Sequence, residues 1–144
     1  MTYESTVTVE SAEYPGVRFT VRRMSFGRRL ELAKNIRDKL GRLEFLSAGE
    51  KGTAEEAQAA LLACEIDRQY AEWGLASVEG LEIDGTPATP QSLLDRGPES
   101  LMTEVLEAVY REAGLNGEER KNSESHSTSS KEGRPSGNAT NVGA

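Results

Sequence analysis

Few residues in this chain are of a type that could do chemistry, and their placement does not suit a catalyst. There is one histidine, His126, and one cysteine, Cys64. His126 lies in the polar run SESHSTSSKEG, and a general base or metal ligand needs a fixed geometry that such a run cannot supply. Ser/His/Asp and Cys/His sets and histidine metal sites are therefore not expected. Cys64 falls inside the apolar pattern LLACEI, where it reads as a small core residue. Carboxylates cluster at Glu79, Glu82 and Asp84, and again at Asp95 and Glu99. The first group flanks a turn and the second a helix start, where acids have structural reasons to be. Neither GxxxxGK[ST] nor GxGxxG can be matched, so no loop is expected to cradle a phosphate. The chain reads as a non-enzyme with no cofactor and no metal.

Charge is the stronger signal. The formal net charge of −7 is unevenly spread: Pro15 to Lys51 carries ten Lys plus Arg against four Asp plus Glu, and Gly52 to Glu119 carries three against fifteen. Arg18, Arg22, Arg28, Arg29 and Arg37 would form the contact face of a small nucleic-acid-binding regulator. Against that stand a sequence pI near 4.9, the lack of interleaved aromatics, and the interruptions at Glu31, Asp38 and Glu44. Nucleic acid is thus a minor alternative. The polarity suits complementary faces, either between the two main helices or between copies of the protein. The single cysteine gives no internal disulfide, the acidic start MTYESTVTVESAE has no apolar signal core, and no run of 18 apolar residues occurs. These features lead us to expect a cytosolic protein that does not enter membranes.

The elements follow from periodicity and punctuation. STVTVE at 5–10 and VRFTVRR at 17–23 alternate, and with Pro15-Gly16 between them they predict an antiparallel hairpin with Val17, Phe19 and Val21 on its buried face. Ser25 is the expected N-cap of a helix over 26–46, whose apolar stripe runs Phe26, Leu30, Ala33, Ile36, Leu40 and Leu43, widened by Leu32 and Leu46. SAGEKG at 47–52 breaks it. Thr53 and Glu56 then predict a capping box for a second helix, apolar around more than half its circumference and ending at Gly74 as C′ residue. A helix of that kind is either central or shared with a partner, and Trp73 at its end reads as a plug against the strands.

Val78, Leu81 and Ile83 predict a strand that turns at Asp84-Gly85 and returns over Thr86 to Ala88, with Pro87 keeping the return at an edge. Thr89 caps a short helix begun by Pro90 and ended by Gly97, and Pro98 opens a last helix that stops at Gly114. The expected fold class is α+β: two β-hairpins or one small mixed sheet packed with three main helices and one short one. It occupies a single domain at 1–116. Residues 117–144 hold one large aliphatic side chain, Val142, and are expected to be a disordered polar tail.

In three places the chain resembles the small tail assembly chaperones of tailed bacteriophages and prophages: YPGVRFTVRRMSFGRRLEL at 14–32, YAEWGLASVEGLEIDGTPATPQSLLDRGPESL at 70–101, and GLNGEERKNSESHSTSS at 114–130. The resemblance implies a non-enzymatic protein of the bacterial host cytoplasm. Such a protein keeps the tape measure protein in solution while tail tube subunits polymerise around it, so its partners would be the tape measure protein and the tail tube protein. The family is defined by no catalytic residues, and none are carried over. A chaperone for a long helical client needs apolar helix faces that exchange between self-association and client binding. The candidate protein-binding residues are Leu30, Ile36, Leu40 and Leu43 on the first helix and Leu62, Ile66, Tyr70 and Trp73 on the second. The plainer account is that both helices bury those faces in a monomer. A virion component, such as a minor tail or connector protein, is the main alternative function.

Overall fold

The computed structural model describes residues 1–49 and 52–114. The alternating stretches pair as expected. Strand β1 (Thr6–Glu10) lies antiparallel to β2 (Arg18–Arg22), with Val7 opposite Val21 and Val9 opposite Phe19. Val17, Phe19 and Val21 are buried, while the other face sets the Thr8 and Thr20 hydroxyls 3.1 Å apart. The loop between the strands is pinned to the last helix. Glu104 accepts hydrogen bonds from the Ser11 hydroxyl (2.5 Å) and from the amides of Ala12 (2.8 Å) and Glu13 (3.2 Å).

The Ser11 hydroxyl, joined by those amides, holds the Glu104 carboxyl below its ordinary pKa despite the opposing effect of burial. A depressed carboxyl pKa contributes stability above the unfolded value of about 4.3 and loses it as pH falls through the folded value. Glu104→Gln should therefore lower the melting temperature at neutral pH, and the gap to the parent protein should close under acid. Thermal melts of both proteins at the two pH values check this.

The predicted strand through Val78, Leu81 and Ile83 is two strands. β3 (Leu75–Glu79) joins β2 antiparallel, giving a three-stranded sheet of order β1-β2-β3, and β4 (Glu82–Ile83) pairs with β5 (Thr86–Pro87) in a separate small hairpin. Gly80 is the reason for the division. It adopts φ 84° with its backbone against the β1–β2 turn, where a Cβ would stand 2.1 Å from the Gly16 carbonyl oxygen. The expected Asp84-Gly85 turn is present, both residues having positive φ, as a two-residue type I′ hairpin requires.

Helix α1 (Phe26–Ala48) begins at Ser25, whose hydroxyl accepts from the Arg28 amide at 3.2 Å, and it runs two residues beyond the predicted end. Its covered row is one edge of the predicted stripe. Leu32 and Ile36 are buried and Leu43 and Leu46 half-buried, whereas Phe26, Leu30, Ala33 and Leu40 are exposed. α1 packs extensively on one neighbour only, helix α2 (Thr53–Gly74). Only the row facing that neighbour is covered.

The predicted capping box of α2 does not form. Gly52 occupies the N-cap in extended backbone, placing Thr53 one step inside the helix with no side-chain cap bond. Gly74 is not a C′ stop but the last helical residue, and the chain passes directly into β3. Glycine is required there because a Cβ would lie 2.6 Å from Val109 Cγ1. Helix α3 (Pro90–Arg96) starts from a reciprocal box in which Thr89 and Ser92 each bond the other's backbone amide. Helix α4 (Glu99–Glu112) follows with Pro98 as its N-cap, and Gly114 lies beyond its end at φ 88°.

The fold is thus α+β, with four helices and two small antiparallel sheets. Its core joins Phe19 and Val21 of the sheet to Leu93 of α3 and Leu101, Val105 and Val109 of α4, with Trp73 and Leu75 at the α2–β3 passage. Among the described residues no polar or charged residue is buried. The expected tail at 117–144, with His126, lies outside the described residues, as does the domain boundary placed at 116.

Candidate functional site

The helical hairpin of α1 and α2 is the feature of this fold that the core does not account for. The two helices, of 23 and 22 residues, are each about 33 Å long, and α4, with 14 residues, is about 21 Å. The main buried cluster takes Leu32 and Ile36 from α1 and, from α2, the segment from Ile66 onward. Leu62 is buried as well but stands apart from that cluster. The half of the hairpin nearer its tip therefore has little beneath it, and it carries Phe45 at 78% exposure, Leu61 at 59% and Leu40 at 40%.

Two clefts open between the helices. One, of about 480 Å³, is lined by Arg22, Arg28, Glu31, Asn35, Gln69, Glu72 and Trp73. The other, of about 750 Å³, is lined by Arg37, Asp38, Gly41, Arg42, Phe45, Leu46 and Gln58. On α1, the positions 28, 31, 35, 38, 42 and 45 advance by three and four residues, so they share one helix face. On α2, 58, 62, 65, 69 and 72 do the same. The two clefts lie in line along one face of α1, whose span from Arg28 to Leu46 is about 27 Å. At Gly41 nothing would lie within 4 Å of an added Cβ, so the outer wall has a dent there.

The two helices differ in sign as wholes, although the α1 row along the clefts is balanced, Arg28 and Arg42 against Glu31 and Asp38. α1 has six basic residues against three acidic, a net +3, and α2 has one against five, a net −4. At the base of the hairpin the cleft's arginines are engaged by the backbone. Arg22 Nη1 donates to the carbonyls of Trp73 (2.9 Å) and Leu75 (3.4 Å), and Arg28 Nη1 to those of Ser5 (2.7 Å) and Arg23 (2.9 Å). The indole N–H of Trp73, buried in this floor, has no acceptor among the described residues, a condition that ordinarily costs about 1–3 kcal/mol.

Below the groove, Tyr70 and Tyr110 stack with ring centroids 4.4 Å apart, and the Tyr110 hydroxyl donates to Asp67. Burial pushes the Tyr70 phenol up from its ordinary pKa. Arg68 bridges Glu72 and Asp95 at 3.0 Å each, tying α2 to α3, and the Gln91 amide together with Arg68 holds the Asp95 carboxyl below its usual range.

The eight residues nominated from sequence divide by burial. Ile36, Leu62, Ile66, Tyr70 and Trp73 are buried and Leu43 is half-buried, and of these Ile36, Ile66, Tyr70 and Trp73 belong to the main core; Leu30 and Leu40 are exposed. Cys64, expected in the core, is exposed on the same outward row of α2 as Ala57 and Leu61. The nominations missed Phe45 and Leu61, the large apolar side chains beside the groove. Phe45 does carry a signal in the sequence, as an aromatic residue placed off the apolar stripe and on the charged side of its helix.

Among the described residues no group of three His, Cys, Asp or Glu could hold a metal ion, and no helix is long and apolar enough to cross a membrane. No family model, curated protein or solved structure matches the chain. The surface of the α1–α2 hairpin is long and open, with exposed apolar side chains in its outer half and polar residues at its base.

Proposed function

We propose that this chain is a non-enzymatic phage tail assembly chaperone that binds a long helical client, the tape measure protein, along the α1–α2 groove in the bacterial host cytoplasm. One observation carries the reading: two clefts in line along about 27 Å of the α1–α2 hairpin, with Phe45 and Leu61 largely exposed in its outer half. A helix laid in such a groove buries its apolar face against two helices at once, the usual way an amphipathic segment is recognised. The exposed apolar residues supply the anchor, and the charged walls set the orientation. Holding the client by its apolar stripe keeps that stripe from aggregating until tail tube subunits replace the chaperone, so contact with the tail tube protein belongs to the same reading.

The test is substitution on the exposed rim. Phe45→Asp and Leu61→Asp each leave the core untouched, and each should reduce co-purification of the tape measure protein by about tenfold, the equivalent of about 1.4 kcal/mol for one interface anchor. Pull-down of a tagged chain with its client, with far-UV circular dichroism showing that the variants fold, reads the effect. Unchanged co-purification with both variants would remove the groove from the account.

A further inference from the structure

We infer that the segment following Gly114 in this same chain, residues 115–121 (LNGEERK), docks along the row of α1 that faces away from the clefts and covers its exposed apolar side chains. Phe26, Leu30, Ala33, Arg37, Leu40 and Glu44 advance by three and four residues, so they share one face of the helix. That face carries Phe26 at 83% exposure and Leu30 at 51%. It lies across the helix from the cleft row of Arg28, Glu31, Asn35 and Asp38. The inference rests on this row and on where the chain leaves α4, and it does not depend on the identity of any client.

The end of α4 delivers the chain to the foot of that row. Gly114 lies beside Arg29, since a Cβ added there would stand 3.9 Å from Arg29 Nη2. Arg29 in turn is close enough to Tyr70 to act on its phenol. Gly114 has φ 88° and its amide donates to the Arg111 carbonyl at 3.1 Å, the inner bond of a Schellman turn. In such a turn the residue after the glycine packs back on the last helical turn. That directs Leu115 to Tyr110, which is stacked on Tyr70, so the segment begins with an apolar side chain at the level of Arg29.

The charges then fall in complementary order. Among the described residues Arg29 has no ion-pair partner, and Arg37 has only a 3.9 Å contact with its neighbour Asp38. An extended segment advances about 3.3 Å per residue and α1 about 1.5 Å. Running from Arg29 toward the tip, Glu118 comes about 13 Å along, level with Arg37 at about 12 Å. Lys121 comes about 23 Å along, level with Glu44 at about 22 Å. Opposite charges meet at both places and fix the register. In the other direction the row ends at Phe26, so only this course has apolar surface to cover. A row covered from within the chain is withheld from other surfaces, which an exposed apolar patch would otherwise invite.

NMR on the full, isotope-labelled chain measures this. In the parent protein the amides of residues 115–121 should show the fast-timescale order of α4, well above that of 131–144, with through-space contacts between the Leu115 and Ala33 methyl groups. A variant carrying Arg29→Glu and Arg37→Glu changes two exposed positions, and unchanged resonances from the sheet and α4 show that it stays folded. In that variant the order of 116–121 should fall to the level of 131–144. Adding Glu118→Lys and Glu119→Lys to it should restore the order, because the charges again oppose across the row. A parent chain whose residues 116–121 are no more ordered than 131–144 overturns the inference and leaves the row to a client helix or a second copy. Order that the α1 variant leaves unchanged overturns it too, by placing the segment on another surface.

Discussion

Gly80→Ala should destabilise the protein by about 3–5 kcal/mol, the largest effect expected of any single methyl group in this chain. Two costs combine. The residue sits at φ 84°, where a side chain costs about 1–3 kcal/mol, and the new Cβ would meet the Gly16 carbonyl oxygen at 2.1 Å. The obstacle is backbone, not the flexible end of a side chain, and Gly16 itself has φ 86° in the β1–β2 turn. Relief therefore requires the turn or β3 to move, which adds an overpacking cost of about 1–3 kcal/mol. Urea denaturation reads the loss directly. A loss below about 1 kcal/mol would mean that the β1–β2 turn and the β3 end are not held together as described.

The second large effect is at the junction of α2 and α4. Gly74→Ala gains about 1 kcal/mol of helix propensity but drives a Cβ to 2.6 Å from Val109 Cγ1 and 2.7 Å from Cγ2, inside a residue that is fully buried. Overpacking at such a site costs about 1–3 kcal/mol and more where neighbours cannot yield, so a net loss of about 2 kcal/mol is expected. The clash names its own remedy. Val109→Ala removes both methyl groups and alone should cost about 2 kcal/mol through the cavity it leaves. The double variant should be less destabilised than the sum of the two, because each substitution supplies the space or volume the other lacks. Strict additivity in the double-mutant cycle would contradict the close approach of α2 to α4.

The sequence made the fold class legible because punctuation and periodicity agreed. Ser25, Thr89-Pro90, Asp84-Gly85 and Gly97 each mark a boundary where the structure has one, and the alternation Val17, Phe19, Val21 is the buried face of β2. The misreadings share a cause, namely that local signals do not report which neighbour covers a face. Six apolar residues at helical spacing on α1, widened by Leu32 and Leu46, gave a broad stripe, yet α1 has one main neighbour, which covers the edge with Leu32, Ile36 and Leu43 and leaves Phe26, Leu30, Ala33 and Leu40 exposed. Gly74 and Gly80 were visible as punctuation, but the reasons for them, contact with Val109 and with the Gly16 carbonyl, are tertiary. Thr53 and Glu56 had the spacing of a capping box, and the chain entered the helix one residue earlier, through Gly52.

The site was legible as a pair of elements and not as a set of residues. Charge counting separated a basic α1 from an acidic α2 before either was seen. The groove between them could not be read, because its lining mixes Arg, Glu, Asn and Gln at positions where each looks like ordinary solvated surface. Burial then assigned half of the nominated residues, Ile36, Ile66, Tyr70 and Trp73, to the main core and left Phe45 and Leu61 on the outside of the hairpin.

The central claim is that this surface keeps a long helical client in solution. Its most direct measurement is co-expression of the chain with a tape measure protein, comparing that protein's soluble yield with the chain present, absent, or carrying Phe45→Asp together with Leu61→Asp. The account predicts a soluble, co-purifying client with the parent chain and an insoluble one both without the chain and with the double variant. A client that stays insoluble beside the parent chain, or one that is equally soluble in its absence, would contradict it.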